Sequence, residues 1–411
     1  TDSVLNVENI STGSGNDTFD ISDSGDNTID ANGGTDSLTV SGGSGTITIE
    51  RVSSDTVTAT DTGLGIGNDT YIDMEQIDVV GSAGDDTFNL TDDTDNTITG
   101  NGGTDTVNAI TTDNTGDTIT ITRAVSSPDV DVSGTGIGND SYVGINTVNV
   151  TGGTGNDTFD ITDEEDNTLT GNGGTDVVDV TSVNDSGETI TIVRSGAGGD
   201  GTDVTVTSSG IGTDTYLGVN EVNITAGDGN DTFDIFDTFD NTFDGGAGTD
   251  TIDYSSTTDS ITVTFDVLTQ NLISGTGIGT DILINIENIS TGSGDDVFTI
   301  QDESNNEIDG GGGNDVVNVI ADESGSGPYG GIITIVRNPS NIVTVQGSGY
   351  GTDIYTDIEQ VNVTGSSSDD IFQPDDPNDN DFDAGAGTDT IDYSNIVSAS
   401  AAVTVNLSTG I

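Results

Sequence analysis

The sequence predicts an all-β fold, an elongated parallel β-solenoid (β-roll or β-helix) built from six repeats of about 70 residues. Three observations predict it: a repeat with a fixed internal register, short alternating runs of β-formers, and a composition unsuited to an ordinary globular core.

The register is read from an acidic residue followed two positions later by Phe. It occurs as Asp17/Phe19, Asp86/Phe88, Asp157/Phe159, Asp231/Phe233, Asp296/Phe298 and Asp370/Phe372, and successive Phe are 69, 71, 74, 65 and 74 apart. Ten residues after each anchor Asp stands an Asn: Asn27, Asn96, Asn167, Asn241, Asn306 and Asn380. Nine further on comes Asp36, Asp105, Asp176, Asp250, Asp315 or Asp389. The sum of 19 holds in all six copies, so length variation falls elsewhere. A third Asp precedes the anchor by 15 or 17: Asp2, Asp69, Asp140, Asp214, Asp281 and Asp353. The repeats run approximately 1–68, 69–139, 140–213, 214–280, 281–352 and 353–411, the last incomplete, in one continuous solenoid.

Between these points, runs such as TFDI, TVNA, TITI and VNV alternate β-formers with small polar residues and are bounded by Gly, Asn and Asp. No run carries a helical period with caps. A coil of two strands and two turns then takes roughly 17–19 residues, with about three to four coils per repeat. A stretch of about thirty residues in each repeat lacks the Gly/Asp spacing, and its strand direction stays open between another coil and an antiparallel hairpin.

Composition narrows the chemistry. Among 411 residues, 73 are acidic and four are basic, all Arg, for a net charge of -69, and there is no His or Cys. So much like charge on so little apolar bulk is the signature of a disordered chain unless something neutralises it. Hard divalent cations do so with oxygen ligands from carboxylates and carbonyls. A polyanion excludes nucleic acid as a partner, and no apolar run is long enough for membrane insertion. Without His or Cys there is no nucleophile–base pair, so no enzyme is expected. The chain begins at Thr1, which suggests a processed product or an excerpt.

With coils of this length, Asp69, Asp86 and Asp105 are expected on one edge of three successive coils, as are Asp140, Asp157 and Asp176. Gly before each Asp, as in Gly102-Gly103-Thr104-Asp105, permits the positive φ that turns carbonyls toward that edge. Turn formation alone is the plainer use of the same residues.

Gly311-Gly312-Gly313-Asn314-Asp315-Val316-Val317, Gly245-Gly246-Ala247-Gly248-Thr249-Asp250-Thr251-Ile252 and Gly152-Gly153-Thr154-Gly155-Asn156-Asp157-Thr158-Phe159 share one pattern. It resembles the G-G-x-G-x-D-apolar nonapeptide of the repeats-in-toxin (RTX), or haemolysin-type calcium-binding, family. The resemblance recurs along the whole chain, including DGGAGTDTIDYS from Asp244 and ILINIENISTGSGDD ending at Asp296. It implies a parallel β-roll with Ca2+ between turns, secretion by a type I system and folding outside the cell. Carried over by position, it implies metal at Asp2, Asp17, Asp36, Asp69, Asp86, Asp105, Asp140, Asp157, Asp176, Asp214, Asp231, Asp250, Asp281, Asp296, Asp315, Asp353, Asp370 and Asp389. Because the nonapeptides are not in continuous tandem, two or three ions per repeat are expected.

Repeats one, two, three and five carry TITI or a close variant followed by Arg51, Arg123, Arg194 or Arg337. Repeats four and six carry DYS instead, at Asp253–Ser255 and Asp392–Ser394. Each Arg is expected to offset local carboxylates, with contact to a neighbouring subunit or glycan as the alternative. Joined end to end, the final NLSTGI and the opening TDSVLNVENISTGSGND nearly reproduce the junction of repeats four and five. That predicts either continuation of a longer array or end-to-end self-association into a homopolymer.

The expected function is an extracellular calcium-stabilised structural protein at the cell surface or in a matrix. The alternative is a calcium-binding secretion or folding module of a larger enzyme or toxin. An ice-binding solenoid would need its Thr motif on every coil, whereas GTGIG followed by Asn-Asp or Thr-Asp comes once per repeat, as at Gly134 to Asp140.

Overall fold

The computed structural model describes residues 7–394 apart from 43–44, 63–64, 113, 124–126, 128, 185, 196–202, 267–270 and 322–329. It is all-β, with no helix among the described residues, and none therefore long and apolar enough to cross a membrane. The chain divides into two compact units, Thr1–Gly227 and Asp228–Ile411. Each contains two sheets in which coil-to-coil pairing is parallel.

In the first unit, repeat one forms β1 (Asn9–Ser11), β2 (Thr18–Ile21), β3 (Thr28–Asp30) and β4 (Ser37–Ser41). These alternate between sheets: β1 pairs in parallel with β3, and β2 with β4 in the register Thr18↔Ser37. That register is the 19-residue spacing read from the sequence, so one coil is 19 residues here. Next come β5 (Thr46–Ser53), β6 (Thr56–Asp61) and β7 (Asn68–Ile72), an antiparallel meander within the first sheet. It doubles back so that β7 lies parallel on β3, while β5 receives the next coil.

Repeat two repeats the plan with the sheets exchanged. Its single strands are β8 (Gln76–Val80), β9 (Thr87–Thr91), β10 (Asp95–Thr99) and β11 (Thr106–Ile110). Its meander, β12 (Thr118–Arg123), β13 (Asp129–Gly134) and β14 (Gly138–Val143), lies in the second sheet. Four single strands and one meander make an odd number of sheet visits, so each repeat starts on the sheet opposite its predecessor. Alternation shares the meanders between the two sheets. Repeat three returns its meander to the first sheet with Thr189–Ser195, Asp203–Ser208 and Gly212–Leu217. In the second unit, the meander of Ile261–Asp266, Asn271–Gly275 and Gly279–Ile284 and that of Ile332–Arg337, Val343–Gly347 and Gly351–Thr356 again lie in different sheets.

The thirty-residue stretch is thus antiparallel, and a repeat holds two full coils plus a meander instead of three to four coils. GTGIG is the turn between the second and third meander strands. Gly138 has φ 90°, and a side chain there would lie 2.4 Å from the Thr94 carbonyl, so Gly is required; Ile137 beside it is buried.

Inward residues stack in register. Ile47, Phe88, Val107 and Val148 form one buried column across four adjacent strands. Each fully buried side chain of this kind contributes about 1.5–3 kcal/mol. Phe88, Phe159, Phe233, Phe298 and Phe372 are interior, while Phe19 is half-buried.

Candidate cation-binding corners

The anchor Asp and the Asp 19 residues later stand at the same corner of successive coils. The N–H of Asp17 donates to Asp36 Oδ1 at 2.7 Å, and those of Asp86, Asp157, Asp231 and Asp296 donate to Asp105, Asp176, Asp250 and Asp315 at 2.8 Å. Asp370 and Asp389 do the same at 2.9 Å. The residue before each anchor works in the opposite direction: Asp85 Oδ1 accepts the N–H of Thr104 at 2.8 Å, and Asn156 that of Thr175 at 2.9 Å. One carboxylate oxygen of each such Asp therefore replaces a β-ladder bond where the chain turns.

The third Asp lies elsewhere. Asp69 shares an edge with Asp86 and Asp105, but β6 and β5 intervene between its strand and β9, so the three do not occupy successive coils. Its carboxylate is held by the Asn27 N–H at 2.7 Å, Asn27 Nδ2 at 3.1 Å and the Tyr71 hydroxyl at 2.7 Å. The D-x-Y spacing repeats this lock at Asp140, Asp214 and Asp353 with Tyr142, Tyr216 and Tyr355, each at 2.8 Å. At Asp281 the equivalent residue is Leu283, and Tyr254 from the DYS segment supplies the hydroxyl instead. Burial pushes Asp140, Asp281 and Asp353 up to about 7 and Asp214 to about 8, against the lowering effect of these donors. Asp2 lies outside the described residues.

Among the described residues, five of these corners are completed by a residue that the sequence pattern did not single out. The N–H of Asp36 donates to Glu75 Oε2 at 2.7 Å, and those of Asp250 and Asp315 to Glu287 and Glu359 at 2.9 Å. In the other corners the acceptor is an amide: Asn146 for Asp105 at 2.8 Å and Asn220 for Asp176 at 2.9 Å. These residues return the contact, donating their own N–H to the Asp carbonyl. Because the meander lies between, they follow the second Asp by 37 to 44 residues, and no fixed spacing reveals them.

The second oxygen of the same Asp is different. Asp36, Asp105, Asp176, Asp250 and Asp315 are buried, and Oδ2 of each has no hydrogen-bond partner. It faces a small residue five positions earlier. A Cβ added at Gly100 would sit 2.2 Å from Asp105 Oδ2 and 2.8 Å from the Gly144 carbonyl. At Gly245 the corresponding distances are 2.5 Å to Asp250 Oδ2 and 2.4 Å to the Asn285 carbonyl, and at Gly310 they are 3.0 Å to Asp315 Oδ2 and 2.8 Å to the Asp357 carbonyl. Gly144, Asn285 and Asp357 have φ of 65°, 50° and 52°, the left-handed conformation that points these carbonyls inward. A carboxylate and a carbonyl oxygen thus crowd one small space without a donor between them. Burial pushes Asp250 and Asp315 up to about 6, with Glu287 and, for Asp315, Asp296 and Glu359 adding repulsion.

An all-oxygen donor set of carboxylate and carbonyl fits a hard divalent cation such as calcium. Among the described residues no three acidic side chains converge on one point, so carbonyls would have to complete any coordination shell.

The arginines face inward. Arg123 is 5% exposed; its Nε pairs with Asp163, itself 0% exposed, at 2.6 Å, and its terminal nitrogens reach the Ile145 carbonyl. Arg337 pairs likewise with Asp376 at 2.7 Å, Arg51 lies 2.5 Å from Asp93, and Arg194 donates to the Val219 carbonyl. A scan against protein-family models and a search of curated proteins both return no match.

Proposed function

We propose that this chain is a secreted, extracellular structural protein stabilised by calcium: a filament subunit, matrix fibre or adhesin shaft that extends end to end. One recurrent feature supports it, the corner in which a buried Asp oxygen meets a carbonyl and no donor. Oδ1 of each such Asp holds the preceding coil, and Oδ2 is left for a positive charge. Four Arg against 73 acidic residues cannot supply that charge, and those whose carboxylate partners are described serve Asp93, Asp163 and Asp376. Calcium, when bound, would supply it and join oxygens of two coils. The RTX-like nonapeptides agree with a chain that folds where calcium is abundant.

The test is circular dichroism with electron microscopy across a calcium titration, with magnesium and an EDTA reversal. β-Structure that calcium stabilises, with rods lengthening by end-to-end addition, is the expected result. Calcium-dependent folding into single short rods would favour a secretion module. Folding and stability left unchanged by verified removal of all metal would overturn the calcium reading.

A second reading, an ice-binding solenoid, rests on a separate observation. On the outer face of the first sheet, Thr46, Thr87, Thr106 and Thr147 stand in register on four adjacent strands. Beside them runs Thr48, Asn89, Asn108 and Asn149, linked by side-chain hydrogen bonds of 3.3, 2.7 and 2.8 Å. Two uncharged ranks at strand spacing, ~4.8 Å, form a regular array of hydroxyls and amides able to order water. Thermal hysteresis that Thr106→Lys abolishes would establish this reading; none in the folded protein would remove it.

A further inference from the structure

We infer that the residue closing each corner, Glu in some repeats and Asn in others, sorts the corners into a tight and a weak class for calcium. This rests on the cation reading above and adds to it an order of loading.

The two kinds of corner share one hydrogen-bonding geometry. Glu75, Glu287 and Glu359 accept the N–H of an Asp at 2.7–2.9 Å, and Asn146 and Asn220 do so at 2.8–2.9 Å. A neutral amide oxygen serves the fold as well as a carboxylate, so the coil does not require the charge of Glu. What differs is the electrostatics beside the unpartnered Oδ2. In the Glu corners a second carboxylate accepts the N–H of the same Asp; in the Asn corners the side chain presents an amide whose nitrogen offers only donors. Glu75 and Glu359 are exposed and Glu287 is half-buried, whereas their Asp partners are buried.

Affinity at oxygen sites follows the number of charged ligands. Repulsion between Glu287 and Asp250, and between Glu359 and Asp315, acts in the same direction, because it penalises the metal-free corner. The Glu corners therefore bind first and depend most on the ion. In the first unit one corner carries Glu and two carry Asn; in the second unit both described corners carry Glu. The second unit accordingly reaches its calcium-loaded state at a lower concentration than the first.

The test is isothermal titration of the metal-stripped full chain with calcium alone, on wild type, Glu287→Gln and Asn146→Asp. Gln can still accept the Asp250 N–H, and circular dichroism at saturating calcium checks the fold. Two binding classes are expected. Glu287→Gln should weaken one tight site on the order of tenfold, and Asn146→Asp should move one weak site into the tight class. If calcium binds but both variants leave the class sizes unchanged, the sorting is wrong while the cation reading survives. If no calcium binds, both fail. Should Glu287→Gln not fold, Asn146→Asp decides alone, since it removes no existing contact to the Asp105 N–H.

Discussion

The N–H of Asp86 donates to the carboxylate of Asp105 at 2.8 Å, nineteen residues and one coil further on. The same bond recurs in every repeat, which explains why this spacing never varies while the rest of the repeat does. An inserted residue would move one partner off the corner and flip every following side chain to the other face of its strand. Replacing Asp105 by Asn keeps the acceptor and should cost little stability in metal-free protein; Asp105→Ala leaves a buried N–H unpaired and should cost about 1–3 kcal/mol. Urea unfolding of the two variants without metal separates these outcomes.

The Tyr142 hydroxyl donates to Asp140 Oδ2 at 2.8 Å in a buried lock. Tyr142→Phe removes the donor without changing the packing volume and should destabilise by about 1–3 kcal/mol. Tyr254→Phe should have a similar effect on Asp281, although its partner lies 27 residues away. Equal effects in thermal melts would confirm that the DYS segment replaces the missing tyrosine of D-x-Y; a silent Tyr254→Phe would refute it.

The locks also set a pH dependence. Burial raises Asp140 and Asp353 to about 7 and Asp214 to about 8, from an ordinary value of 3.8. A carboxylate raised on folding holds its proton more tightly in the folded state. Its stabilising contribution is full below the unfolded value and is lost as pH rises through the folded one. Metal-stripped protein should therefore melt at a higher temperature at pH 5.5 than at pH 8.5, and Asp140→Asn should flatten part of that difference. A melting temperature that rises with pH in metal-free buffer would contradict this assignment.

Arg123 and Asp163 tie a meander to the turn of the following repeat, both buried. Arg123→Gln should destabilise by about 3–5 kcal/mol, because it leaves the Asp163 charge uncompensated. Arg123→Gln with Asp163→Asn should recover most of that loss, and a double-mutant cycle by chemical denaturation measures the coupling.

The coil length was legible because the 10 + 9 spacing lies within a continuous stretch of chain, where strand and turn lengths map directly onto residue numbers. The inward Phe were legible for the same reason, since alternation along a strand decides its face. The placement of Asp69 apart from Asp86 was not. Asp69 lies only 17 residues before Asp86, but the chain has already doubled back through β5, β6 and β7, so β5 and β6 stand between their strands in the sheet.

Glu75, Asn146 and Glu287 were invisible for a related reason: they join their corners across meanders of different lengths. The sequence by itself determined an all-β solenoid, the 19-residue spacing within its repeats and the Asp that pair across that spacing. All of these follow from local periodicity and the conformational demands of Gly, Asn and Asp. Only the tertiary structure decided which carboxylate oxygens are consumed by the fold and which are left unpartnered. That depends on donors brought from other coils, and whether a buried oxygen meets an N–H, a hydroxyl or a carbonyl is a property of the packed corner alone.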